Sequence, residues 1–256
     1  MNAIHVKAGM TSANLKIIAL VTMTLDHIGH VFAIPMIYSQ SGLVVLYYVL
    51  RTVGRIAFPL YAFMVSEGCR YTKNIKKYLG LMAIFAVVSE LPYNLAAGGS
   101  WQYAQGQNVY FTLFLGLLAC YVVRLLEENG KNILWSVPVA ALLCASAQVL
   151  ETDYAWYGVL FVWLCAVTHK LPAKYRAPIL IVGLLLIGRP WQIVQSGWSA
   201  NYIFNSCQQF VGSLPALALL FAYNGRRGAL HVHKYFFYAY YPAHLLLLGI
   251  LARYVF

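Results

Sequence analysis

Residues 20–32 read LVTMTLDHIGHVF, an apolar run with one aspartate and two histidines set inside it. A charge in the bilayer core costs at least ~2.5–3.5 kcal/mol on insertion scales, so such a group needs a partner, a wet cavity or a task. Asp26 and His30, four residues apart, share one helix face, and His27 sits to the side of it. The flanking residues are apolar too, and the run extends over about 15–38, long enough for a membrane-crossing helix. The whole chain follows suit. Of its 256 residues 61% are hydrophobic and 10% charged, against about 25% charged in an ordinary soluble domain.

Eight more segments of similar character follow, at about 44–68, 77–97, 109–126, 133–149, 154–169, 176–189, 205–223 and 235–255. The expected fold is therefore all-α: one polytopic membrane bundle over residues 1–256 with about nine (8–10) transmembrane helices. The segments 154–169 and 176–189 are short, which suits tilted, broken or re-entrant elements. The net charge of +11 invites a nucleic-acid reading, but its placement excludes that class. Lys7, Lys16, Arg70, Lys73, Lys76, Lys77, Arg124, Lys131, Lys170, Lys174, Arg176, Arg226, Arg227 and Lys234 fall on one side of the expected bilayer. Only Arg51, Arg55, Arg189 and Arg253 fall on the other. By the positive-inside rule the first side is cytoplasmic, as is the N-terminus, and the C-terminus is outside. The expected location is a bacterial inner membrane. Cys69, Cys120, Cys144, Cys165 and Cys207 are odd in number, lack a CxxC and suit neither a disulfide framework nor a zinc site. The N-terminus has no separate cleavable signal, so the first span anchors itself.

Three chemistries suit Asp26, His27 and His30. Asp26 can pair with an arginine of the second span while the histidines hydrogen-bond within the bundle. His27, His30 and a carboxylate can hold a metal, although no matching ligand set occurs elsewhere. An imidazole oriented by a carboxylate can act as a general base. Arg51 and Arg55 share a face at the outer start of the second span, and serve equally as partners of Asp26 or Glu90 or as substrate ligands. Gly54 between them permits a close helix approach, and Pro59 kinks the span. Glu67 and Arg70 suit a surface ion pair or a basic mouth for a phosphate-bearing cosubstrate. Glu90 calls for an arginine partner. His244, within YYPAHLLLL, is a lone intramembrane histidine.

Six stretches, taken in order, resemble the TraX family: 15–32, 51–79 (RTVGRIAFPLYAFMVSEGCRYTKNIKKYL), 87–95 (VVSELPYNL), 106–118 (GQNVYFTLFLGLL), 151–160 (ETDYAWYGVL), and 223–228 with 234–251. TraX is known as the acetylase of the F-pilin N-terminal amine, and resembles wider membrane acyltransferases that use acyl-CoA and a membrane histidine. The resemblance carries over to Asp26-His27, Gly54-Arg55, Phe58-Pro59, Asn108, Tyr157-Gly158 and Tyr241 with His244. The additional acids Glu67, Glu90, Glu151 and Asp153, together with Arg70, resemble the chromosomal branch of the family, so the pilin acceptor does not transfer with the fold.

The function this implies is transfer of an acetyl or acyl group from acyl-CoA to an amine or hydroxyl acceptor on a protein, glycan or lipid. His27 is the expected base, with Asp26 orienting it and His30 as second choice. Arg55, Asn108 or Tyr241 would stabilise the oxyanion, and His244 would join the catalytic set. Arg70, Lys73, Lys76, Lys77, Arg226 and Arg227 would hold the CoA phosphates. Arg51, Glu67, Glu90, Asn108, Tyr157 and Tyr241 would line the acceptor site, with no metal. The rival classes are a proton-coupled transporter or channel, which also uses intramembrane titratable groups, and a non-catalytic assembly factor.

Overall fold

The computed structural model describes residues 9–33, 37, 43–98, 100–102, 106–233 and 235–254. Lys7, Lys234 and most of the expected first span beyond residue 33 lie outside them. The described residues form twelve α-helices and a short 3₁₀ turn, with isolated bridges but no strand. Helix α1 (Ser12–Val31) starts at a reciprocal cap: Thr11 accepts from the Asn14 amide at 3.3 Å, and the Asn14 side chain accepts from the Thr11 amide at 3.0 Å. This satisfies two of the donors a helix start leaves open.

The second expected span is two helices, α2 (Leu43–Gly54) and α3 (Ala57–Tyr71). Pro59 lacks the N–H that would bond the Arg55 carbonyl. The chain answers with two tight turns, Arg55 N–H to Thr52 O at 3.2 Å and Ile56 N–H to Val53 O at 3.2 Å. The kink therefore falls just before the proline, at Arg55. Helices α4 (Ile75–Val88) and α5 (Glu90–Gly98) meet at a 43° bend. Next come α6 (Val109–Glu128), the 3₁₀ turn Ile133–Ser136, α7 (Val137–Val149), α8 (Ala155–Val167), α9 (Ala173–Ile187), α10 (Trp191–Gln195), α11 (Ala200–Phe221) and α12 (Phe236–Tyr254).

Helix α3 runs through the centre, burying Phe58, Leu60, Ala62, Phe63, Val65 and Cys69. It packs on α1, α6 and α8, while α6 lies along α8, α1 along α2, and α12 along α5. Gly116 of α6 lets α8 approach closely: a Cβ there would stand 2.7 Å from Val162. Small residues at such crossings are how helices gain dispersion contacts where lipid competes equally for apolar surface. The outside is apolar as well, with Val45, Ile84, Val87, Leu142, Val149 and Leu247 exposed. An apolar exterior on this scale suits a lipid solvent rather than water.

Only some of the nine expected spans qualify as membrane-crossing by length and apolarity. Among the described residues these are Leu43–Tyr71, Val109–Glu128 and Ala173–Gln195, with Ile75–Val88 plus Glu90–Gly98 as a fourth if the bent pair is one span. Ile133–Val149 and Ala155–Val167 are apolar but short. Helices α1, α11 and α12 carry polar side chains that dilute them: Thr22, Thr24, Asp26, His27 and His30; Asn205, Gln208, Gln209 and Ser213; and Tyr238, Tyr240, Tyr241 and His244.

The two ends of the bundle differ. At one, residues 9–13 are strapped to residues 222–228 through Met10 N–H to Ala222 O (2.8 Å), Asn224 N–H to Met10 O (2.9 Å), Ser12 N–H to Arg226 O (2.8 Å) and Ala13 N–H to Arg227 O (2.9 Å). This end also holds Arg124, whose guanidinium caps the Cys69 and Thr72 carbonyls at 2.8 and 3.0 Å, and the Lys170–Glu127 pair at 2.9 Å. At the other, the loop before α6 ties to the loop before α8 through Gln107 N–H to Glu151 O (3.0 Å) and Asp153 N–H to Gln107 O (2.7 Å).

Candidate active site

The break between α2 and α3 turns Arg51 and Arg55 toward α1. Both guanidinium groups reach one oxygen of Asp26, Arg51 Nη1 at 2.9 Å and Arg55 Nη2 at 2.6 Å. Gly54 makes this possible, because any Cβ there would overlap the Asp26 side chain. Arg55 also donates from Nε to the Arg51 carbonyl at 2.9 Å and from Nη1 to Gln209 Oε1 of α11 at 2.7 Å. Its three nitrogens are thus all engaged within the protein. The side chains are mostly buried, 15% exposed for Asp26 and 11% for Arg55. Removing one partner of such a group would strand a charge in a poor solvent.

The neighbouring residue has a different environment. His27 Nδ1 lies 2.7 Å from Nε2 of His244 on α12, and His244 Nδ1 lies 2.8 Å from the Tyr240 carbonyl. A carbonyl only accepts, so His244 Nδ1 carries a hydrogen. Neutral His244 then accepts at Nε2, and His27 Nδ1 must be the donor. The lone pair of His27 is left on Nε2. Tyr240 is itself held by its hydroxyl, 2.8 Å from Thr24 Oγ1 of α1.

Between these groups is a cavity of about 50 Å³ lined by Met23, Asp26, His27, Gly54, Ala57, Phe58, Tyr61, Val109, Leu113, Asp153, Tyr154 and Tyr241. A water occupies about 30 Å³ of liquid, so the space takes one or two waters or a group of a few heavy atoms. Tyr241, only 3% exposed, contributes a hydroxyl with no hydrogen-bond partner among the described residues. A buried hydroxyl without a partner costs free energy, and the residue that carries it lines the cavity. A larger groove of about 620 Å³ opens between α2 and α11, lined by Val45, Tyr48, Val49, Thr52, Val53, Asn201 and Phe204. It is open and apolar and holds none of the charged groups.

Asp153 completes the cavity, and the sequence alone does not assign it there. It comes from the loop between α7 and α8, where Glu151 (φ 51°), Tyr154 (φ 64°) and Ala155 (φ 35°) all take left-handed backbone that L-residues avoid. The loop is held by the pairing to Gln107, by the Thr112 hydroxyl donating to the Asp153 carbonyl, and by Tyr154 stacked on Phe58 at 3.8 Å. Burial pushes the Asp153 carboxyl up to about 6, against the opposing pull of Arg55. Strained backbone that places a titratable group in a cavity is a recurring property of functional sites. The only sequence signal was a pair of acids in an aromatic loop, ETDYAWYG.

The remaining expected residues lie elsewhere. His30 is exposed in the last turn of α1. The Glu90 carboxylate accepts from the backbone amide (2.9 Å) and side-chain amide of Asn108, and Asn108 caps Tyr110 N–H at 3.0 Å. Glu90 thus takes an amide partner and the start of α6 where an arginine was expected, because the bend before α5 turns it toward that helix start. Tyr157 packs on Trp191, with centroids 5.7 Å apart. Glu67 and Arg70 pair at 3.7 Å at the basic end, where Lys73, Lys76, Lys77, Arg226 and Arg227 are exposed. No group of three His, Cys, Asp or Glu among the described residues is arranged to hold a metal ion.

With this geometry in hand, comparison with known proteins gives a consistent answer. The chain is 29% identical over 259 residues to the "Probable fimbrial assembly protein FimC, serogroup H1" of Dichelobacter nodosus, covering 91% of this chain and 92% of that one. No solved structure matches. The sequence pattern described as TraX protein matches residues 11–252, a stretch that takes in every helix from α1 to most of α12, and the chain belongs to the TraX family.

Proposed function

We propose that the protein is a membrane-embedded acyltransferase that moves an acetyl or acyl group from acyl-CoA to an amine or hydroxyl. The observation that carries this reading is the chain Tyr240 carbonyl–His244–His27 ending beside a cavity that Tyr241 also lines. In the reaction, His27 Nε2 takes the proton of the acceptor as its nitrogen or oxygen attacks the thioester carbonyl. The tetrahedral oxyanion accepts from the Tyr241 hydroxyl. The C–S bond then breaks, and the proton held by His27 passes to the departing CoA thiolate.

His244 takes the orienting role that the sequence suggested for Asp26. Asp26 is occupied by Arg51 and Arg55, and that clamp fixes the helix on which His27 rides. The fimbrial assembly name of the relative supports a surface-appendage subunit as acceptor. Nine membrane segments with a cytoplasmic N-terminus in a plasma membrane form part of the same proposal. The shorter helices would be covered by their neighbours, which satisfies backbone that lipid cannot.

The test is transfer of labelled acyl groups from acyl-CoA in membranes carrying the full chain. His27→Ala should lower transfer by ~10²–10⁴-fold, the usual worth of general acid–base help. Transfer at the wild-type rate in that variant would sink the proposal. Proton-coupled flux into liposomes without acyl-CoA would replace it with a transporter.

A further inference from the structure

The basic end holds a second built site. All seven acidic residues of the chain are among those described. Asp26 is taken by Arg51 and Arg55, Glu67 by Arg70, Glu127 by Lys170, Glu128 by Arg124, and Glu90 by Asn108. Glu151 and Asp153 sit at the opposite end, against Gln107. Lys16, Arg226 and Arg227 are therefore left with no carboxylate.

Lys16 and Arg227 are brought together by the fold, with Arg226 next to Arg227 in the chain. Gly225 (φ 78°) and Gly228 (φ 71°) bracket the two arginines. The segment is then bonded to the start of α1 through Ser12 and Ala13. Lys16 follows Ala13 by one turn, is half-buried with its ammonium 5.3 Å from the Phe237 ring, and feels Arg227 as a like charge. Holding a half-buried ammonium next to a guanidinium without a counterion is unfavourable in the isolated protein. Lys73, Lys76 and Lys77, by contrast, are simply exposed.

We infer that Lys16, Arg226 and Arg227 form a binding site for a phosphate-bearing anion. Two sources carry that chemistry, the phosphates of a CoA-type nucleotide and an anionic lipid headgroup. The nucleotide source rests on the acyl-CoA reading, and the lipid source does not. Lys16 and His27 are about 16 Å apart along α1 at the helical rise. Helix α12 runs beside that path, with Phe237 at Lys16 and His244 at His27. An extended pantetheine arm spans such a distance, so phosphates held at Lys16 place a thioester near the cavity.

The experiment is thermal unfolding of the purified full chain with CoA and with pantetheine in detergent, and in lipid nanodiscs with and without phosphatidylglycerol. CoA, but not pantetheine, should raise the wild-type midpoint. Lys16→Gln and Arg227→Gln should weaken the apparent affinity about tenfold or more, the worth of one charge-assisted hydrogen bond. Lys16→Arg should restore it, and Lys131→Gln, at an exposed lysine with no assigned binding role, should leave it intact. A response to phosphatidylglycerol alone, lost in Lys16→Gln, assigns the site to a lipid headgroup. Ligand-free Lys16→Gln should melt no lower than wild type, because it relieves repulsion. If it melts lower, the exposed Arg226→Gln and Arg227→Gln variants decide. His27→Ala should leave the CoA response unchanged, which separates failure of this site from failure of the acyl chemistry. The inference is overturned if neither phosphate ligand shifts the midpoint, or if the Lys16 and Arg227 variants respond as wild type does.

Discussion

Asp26 and His27 are adjacent on α1 and face different surroundings. Asp26 is doubly paired and locked, while His27 is held through Nδ1 and, among the described residues, has no hydrogen-bond partner on its other ring edge beside a cavity. The first arrangement is what a helix bundle needs in order to keep a carboxylate in lipid. The second leaves hydrogen-bonding capacity unused, which a structure has no reason to retain for stability. The contrast sets a paired, structural carboxylate beside a neutral ring with an open edge, within a single motif.

Substitution should break the pair apart. His27→Ala is expected to abolish most acyl transfer at a smaller cost in melting temperature than Asp26→Ala, whose first effect should be on stability. Removing Asp26 leaves Arg51 and Arg55 without their carboxylate, at a cost of ~3–5 kcal/mol typical of a broken buried pair. Any loss of transfer in that variant should track loss of folded protein, measured by thermal unfolding alongside activity. A stable, folded Asp26→Ala with no activity would mean that Asp26 acts on the chemistry directly.

Tyr241→Phe sharpens the comparison on the cavity side. It deletes a buried hydroxyl that has no hydrogen-bond partner among the described residues, so stability should hold or rise. Transfer should fall by ~10²–10³-fold if the hydroxyl serves the oxyanion, by analogy with other single donors. A less stable Tyr241→Phe with unchanged transfer would return the residue to a packing role.

The smallest effect concerns Asp153. Its carboxyl is held at about 6, above the usual 3.8. A raised carboxyl is a burden on the folded state that is fully present above about 6 and vanishes below 3.8. Asp153→Asn should therefore raise the melting temperature at neutral pH, with the gain shrinking as the pH falls through that window. A gain that is the same at pH 4 and pH 7.5 would contradict the placement of the group.

Much of this was legible in the chain. The run at 20–32 announces an intramembrane site because titratable residues stand out against apolar ones, and the spacing of Arg51 and Arg55 already offered a partner for Asp26. Helices form where apolar runs were read, but they break at Arg55 and at Ser89, ahead of Pro59 and Pro92, which lack the N–H that would continue the helix, so span length was less legible than helix position. The pairing of His27 with His244 was not readable, since 217 positions separate them and no periodicity links distant helices. Asp153 was hidden because its position depends on a left-handed loop, and none of the positions that take that conformation, Glu151, Tyr154 and Ala155, is a glycine.

The protonation pattern of the two histidines decides the matter. In nitrogen NMR of the full chain with labelled histidine, assigned through His27→Gln and His244→Gln, His27 should show a protonated Nδ1 hydrogen-bonded to His244 and a bare Nε2. A His27 signal with the hydrogen on Nε2, unaffected by loss of His244, would contradict the account.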